Sequence, residues 1–144
     1  MRGLMMDTPL MISSLLRHAA VNHPEREIVS RLTDGTIHRT NYGETYARTQ
    51  RLANALKRLG VVQGDRVATI AWNTHRHFEI YFGVPGIGAV CHTINPRLFG
   101  EQIVYIANHA EDSVLFLDLT FLPLVEGIAD QLTSIKTYVL MCNE

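Results

Sequence analysis

Apolar residues recur along this chain with two periods that alternate, and the alternation outlines the elements. Ile12, Leu15, Leu16 and Ala19 stand at the i, i+3, i+4, i+7 spacing of one helical face. Thr8-Pro9 suits the N-cap and first helical residue, where proline's missing N–H loses no partner, and the helix is expected to stop before Pro24. "EIVSRL" and "TIHRT" flank Asp34-Gly35, a strong short hairpin signal. Asn41 can cap the next helix, with Glu44 three residues on completing a capping box. That helix is expected to bury Tyr46, Leu52, Ala53, Leu56 and Leu59 and to end at Gly60.

Beyond Gly64-Asp65 an apolar strand runs from Val67 to Ala71, and Phe78, Tyr81 and Phe82 mark the inward face of a helix. "AVCHTI" is a strand, and "EQIVYIANHA" is a helix with Ile103, Ile106 and Ala107 inward. "SVLFLD" is a continuous apolar run of the kind buried on both faces of a sheet. "LPLVEGIADQL" reads as a helix burying Leu122, Val125, Ile128, Ala129 and Leu132, and "TYVLM" as a final strand. Helix and strand therefore alternate after residue 40. Such alternation builds an α/β fold: a doubly wound, mostly parallel sheet with helices on both faces, here joined by a small N-terminal β-hairpin.

Composition changes this picture little. The 144 residues are 47% hydrophobic and 19% charged, which suits one globular domain over residues 1–144. Thirteen basic and fourteen acidic residues give a net charge of −1. Neither sign dominates, so no nucleic-acid partner is expected. Cys91 and Cys142 form neither a CxxC pair nor a disulfide framework. Asp7 and Pro9 interrupt the N-terminal apolar run, which argues against a signal peptide, and no stretch reaches the ~18 apolar residues of a membrane span. A cytoplasmic location is expected.

The segment "GVPGIGAVCHTINPRL" looks like chemistry at first sight. Its glycines Gly83, Gly86 and Gly88 have the dinucleotide spacing reversed, and they precede a strand instead of following one. They are expected to pack a helix end tightly and turn it into a strand. No Walker-type phosphate loop occurs anywhere. His75 and His77, two apart on a helix, diverge by about 200°, and Cys91 and His92 point to opposite faces of a strand. No metal site and no catalytic residue is expected, and Cys91 is expected to be an inert core thiol. Ligands of open parallel sheets bind beyond the carboxyl ends of the strands. There Asp118 is expected to cap the helix near Thr120. Arg76 and Arg97 are candidates for an anionic ligand. The best ligand-facing loop is "TINPRLFGE", which presents Asn95, Pro96 and Arg97 together.

The ordered set of Tyr-x-Glu opening a helix, "LG" then "GDRVA", an Asn after that strand, "GxGAV" and "NPRL" resembles the start of AMP-forming acyl-CoA synthetases of the adenylate-forming superfamily. Within that superfamily the segments are similar to the medium- and long-chain fatty acid–CoA ligases, over about residues 8 to 142. The resemblance implies the first subdomain of a larger AMP-binding domain, truncated and without its second domain. In the parent enzyme a fatty acid's carboxylate attacks the α-phosphate of ATP, with magnesium, to give an acyl-adenylate and pyrophosphate. CoA thiolate then displaces AMP. The family's phosphate loop and its lid lysine lie downstream, so this chain alone is expected to be inactive and to bind none of these cofactors. The same resemblance makes Asn95, Pro96 and Arg97 candidates for a CoA-side loop. Some relatives use paired arginines after the next strand for CoA, where this chain reads "DLTFLPLV". A homodimer is expected for this branch. The competing reading is a free-standing, flavodoxin-like ligand-binding or dimerisation module without catalysis.

Overall fold

Val114–Asp118, the run "VLFLD", lies at the heart of the molecule with every residue buried. The computed structural model describes residues 6–142, so the part of the N-terminal run before Met6 lies outside the described residues. In chain order the helices are α1 (Ile12–Asn22), α2 (Tyr42–Arg58), α3 (His75–Gly83), α4 (Gly100–Ala110) and α5 (Leu122–Glu126). The strands are β1 (Glu27–Arg31), β2 (Ile37–Asn41), β3 (Arg66–Ile70), β4 (Val90–Thr93), β5 (Val114–Asp118) and β6 (Thr137–Met141).

β1 and β2 form an antiparallel hairpin, and the other four strands form a parallel sheet in the order β4-β3-β5-β6. Alternate side chains serve opposite faces of this sheet. Val67, Val114 and Phe116 join Leu56, Ile80 and Val84 on one face. Ala68, Ile70, Leu115 and Leu117 join Ile103, Ala107, Val125 and Ile128 on the other. Burying each Val, Leu, Ile or Phe side chain among them contributes roughly 1.5–3 kcal/mol. The doubly wound parallel architecture expected from the alternating pattern is the one observed.

Local chemistry explains the boundaries. The β1–β2 turn closes with Gly35 at φ 86° while Asp34 Oδ1 accepts from the Thr36 N–H and hydroxyl. Asn41 Oδ1 accepts the Glu44 N–H at 2.8 Å, but Glu44 takes the Thr40 hydroxyl and not the cap's own N–H, so only half of the expected box forms. Gly60 ends α2 at φ 86°.

Four expectations are corrected. The first helix begins at Ile12, with Met11 and not Thr8 as its extended cap residue; Leu16 is buried while Ile12 and Leu15 are exposed. Leu59 is also exposed, because it is the C-cap residue of α2. α3 turns His75, His77, Glu79 and Ile80 inward, leaving Phe78 and Phe82 half-buried and Tyr81 exposed. Finally, "LPLVEGIADQL" is not one helix. It stops at Glu126 and resumes as a 3-10 turn at Ala129–Gln131, because Gly127 weakens the helix while Ile128 and Leu132 turn into the core.

Candidate functional site

Strand β3 has β4 on one side and β5 on the other, so the chain reverses its winding direction between β3 and β5. The crevice beyond the carboxyl ends of these two strands is where a doubly wound sheet meets ligands. Here it is bridged by side chains. The Trp72 backbone N–H donates to Asp118 Oδ2 at 2.6 Å, and its indole Nε1–H donates to Thr120 Oγ1 at 2.8 Å. Phe121 lies against the indole with ring centroids 5.0 Å apart. Asp118 therefore ties two strand ends together and makes no side-chain cap to the following turn, which corrects its expected role. The amide that claimed its carboxylate lies 46 residues away, beyond the reach of any local capping pattern.

Beside this bridge a cleft of 220 Å³ brings together Asp34, Thr74, Arg76, Asp118 and Met141. Arg76 is thus placed at the strand ends. Arg97 is not in this cleft; it sits beyond β4, exposed, in the loop of Asn95 and Pro96. Asn95 Oδ1 accepts the Arg97 N–H at 3.0 Å, and the Asn95 carbonyl accepts the Leu98 N–H at 3.2 Å. Asn95 spends its side-chain oxygen on holding the turn, which presents the Arg97 guanidinium to solvent. The structure places Asn95, Pro96 and Arg97 in one tight turn and keeps Arg76 apart from them.

The glycine-rich segment does not form a phosphate cradle. A Cβ on Gly83 would come within 3.1 Å of Leu52 Cδ2 and 3.5 Å of the Thr49 carbonyl, so this glycine lets α3 approach α2. The close partner is therefore a helix, not the strand expected from the sequence. Gly88, at φ 81°, turns the chain into β4. Because the segment precedes a strand and its glycines serve packing and turning, the residues present do not fit a triphosphate. No catalytic step through ATP is assigned to them.

The remaining candidates resolve into structural roles. Burial pushes the Cys91 thiol up to about 11, which makes it a poor nucleophile. His77 is within 3.0 Å of the Thr69 hydroxyl through Nε2, and burial lowers its pKa. His75 stacks on His38 of β2 with centroids 3.7 Å apart, and its pKa falls to about 4, chiefly through burial and then through neighbouring His38, Arg76 and Arg48. Among the described residues no group of three His, Cys, Asp or Glu side chains is placed to hold a metal.

Sequence reasoning missed three polar contacts and the Trp72–Thr120 bond. Arg48 Nε donates to Glu79 Oε1 at 2.6 Å, Arg66 meets Glu111 at 2.8 Å, and His92 Nδ1 lies 2.8 Å from Asp112 Oδ2. Their partners are 20 to 45 residues apart, so no local spacing announces them.

With this geometry in view, the comparisons with known proteins carry weight. The family profile described as AMP-binding enzyme matches residues 16–142. The chain is 60% identical over 141 residues, 98% of its length, to 3-methylmercaptopropionyl-CoA ligase of Ruegeria lacuscaerulensis, of which it covers 26%. It is 51% identical over 143 residues to medium-chain-fatty-acid–CoA ligase of Ectopseudomonas oleovorans, covering 99% of this chain and 26% of that one. Among solved structures, a Mycobacterium tuberculosis fatty acyl CoA synthetase superposes with a TM-score of 0.80 at 25% identity, over 91% of this chain and 26% of that protein. The inhibitor-bound N-terminal domain of FACL13 from the same organism gives 0.82 at 25% identity, over 91% of this chain and 33% of that one. The chain spans about a quarter of the length of the curated relatives it matches. Its fold, its strand-end crevice and a match over nearly all its residues agree: the chain belongs to the AMP-binding enzyme family.

Proposed function

We propose that this chain is the first subdomain of an ATP-dependent, AMP-forming fatty acid–CoA ligase and that residues 1–144 act only within such a larger enzyme. Identity of 51–60% across nearly the whole chain to ligases that join carboxylic acids to CoA carries the reading. In the parent, ATP with magnesium activates the acid as its adenylate and CoA takes the acyl group. This chain's contribution is positional. It supplies the Asn95-Pro96-Arg97 turn, whose exposed guanidinium suits the phosphates of CoA. It also supplies the Trp72–Asp118 bridge, which holds the strand ends in register. The parent works in the cytoplasm as a homodimer. The exposed Ile12 and Leu15 of α1 offer an apolar face to a second copy, and no described helix is long and apolar enough to cross a membrane.

The acid itself has two readings. Fatty acids are favoured by the medium- and long-chain relatives at 51% identity, and 3-methylmercaptopropionate by the 60% relative. Thioester formation by a longer chain carrying this segment, assayed with a series of linear acids and with 3-methylmercaptopropionate, decides between them. No thioester with any acid would refute the ligase reading. A monomer in sedimentation at high concentration would refute the dimer.

A further inference from the structure

A second cleft, of 340 Å³, opens between α1, α2 and the end of α3. α3 leaves the carboxyl end of β3 and runs back to the start of β4, so Gly83 and Gly86 place this cleft at the opposite end of the sheet from the strand-end crevice. Its wall is apolar, built from Met11, Leu16, Tyr46, Ala53 and Phe82. Gly83 and Gly86 form part of its wall, and a Cβ on Gly86 would approach Ser13 Cβ at 4.0 Å.

Arg17 and Gln50 give the apolar cleft a direction. The exposed side chain of Arg17 lies along it and makes no ion pair with any described residue. Gln50, also exposed, adds an amide donor nearby, and no acidic side chain lines the cleft. Ser13, Ser14 and the buried Thr49 complete the lining. The volume lies near the lower end of the ~300–1,000 Å³ typical of ligand pockets, enough for one small ligand and not for a two-chain lipid.

We propose that this cleft is a binding site, separate from the strand-end crevice, for a carboxylate with a single unbranched alkyl chain, its head at Arg17 and Gln50 and its tail against Leu16, Ala53 and Phe82. The cleft's own lining carries this, independently of the ligase reading. Charge complementarity is one-sided there, a cation and amide with no competing carboxylate, and the tail's surface would leave water as it enters.

Sodium octanoate titrated into the 144-residue chain, followed by amide NMR shifts, tests it. Saturable one-site shifts confined to Leu16, Tyr46, Thr49, Ala53 and Gly83 are expected. Arg17→Gln, a surface change, weakens octanoate about two- to fivefold, as loss of an exposed ion pair of up to ~1 kcal/mol implies, and leaves octan-1-ol unaffected. Gln50→Glu, also on the surface, weakens octanoate in the same selective way. Ala53→Phe fills the cleft and removes binding of both. No saturation by about 10 mM would overturn the site, because the affinity would then be weaker than about −3 kcal/mol. So would shifts confined to Trp72 and Asp118, or concentration-dependent shifts without ligand that mark a second copy as the occupant. Equal weakening of octanoate and octan-1-ol by Arg17→Gln would overturn the carboxylate assignment.

Discussion

His75→Phe should flatten the loss of stability on acidification. His75 is 5% exposed and faces His38 of β2, Arg48 of α2 and Arg76 on its own helix, with Glu79 one turn on and paired to Arg48. Burial and these cations hold its pKa at about 4 against an ordinary 6.5. A group whose folded pKa is depressed contributes stability above its unfolded pKa and loses it as pH falls toward the folded one. The window is therefore pH 6.5 down to about 4. At about 1.4 kcal/mol per pH unit, the gap amounts to about 3 kcal/mol of stability lost by pH 4. His77, depressed in the same direction, adds to the loss, while Asp112, raised by burial, opposes it. Phenylalanine keeps the ring against His38 and removes both the titration and an unpartnered buried Nδ1. Urea unfolding followed by Trp72 fluorescence at pH 7, 6, 5 and 4.5 should show similar midpoints at pH 7. The curves should then diverge, with the variant retaining up to about 3 kcal/mol more at the acid end. Parallel pH profiles would refute the reasoning.

Arg48→Ala leaves the Glu79 carboxylate, 7% exposed, without its cation, and should cost about 1–3 kcal/mol. Arg48 is itself 47% exposed, so the cost falls below that of a fully buried pair; a double-mutant cycle with Glu79→Leu should recover part of it in the same urea assay. Gly88→Ala forces a side chain onto φ 81° with Gln63 Cγ at 3.0 Å and should lower stability by about 1–2 kcal/mol in thermal unfolding. In a longer ligase carrying this segment, Arg97→Ala should raise KM for CoA about three- to tenfold and leave adenylate formation unchanged in steady-state kinetics.

Strands were more legible in the sequence than helix faces. "VLFLD" is the kind of continuous apolar run that strands buried on both sides show, and Asp34-Gly35 between two short runs is a strong turn signal; both elements formed as expected. In α3 the hydrophobic pattern misled, because Glu79 and His77 are inside through partners 31 and 8 residues away, and a burial pattern read locally sees no partners. Once the two polar side chains are satisfied there, Tyr81 is left outside. The same blindness made Asp118 look like a cap when its carboxylate serves the Trp72 amide. The turning role of Gly88 was legible from order along the chain, before a strand instead of after it, whereas the packing of Gly83 on α2 was not, because Leu52 lies 31 residues away. The Asn95-Pro96-Arg97 turn was legible from its own residues, since Asn95 closes it over two positions.

The claim at the centre is that this segment belongs to an acid-activating ligase yet carries no nucleotide cradle of its own. ATP–pyrophosphate exchange tests both halves at once, measured with the acid series on the 144-residue chain and on a longer chain that contains it. Acid-dependent exchange from the longer protein and none from the short one is the predicted result. Exchange by the 144 residues alone, or silence from the longer chain with every acid, would contradict it.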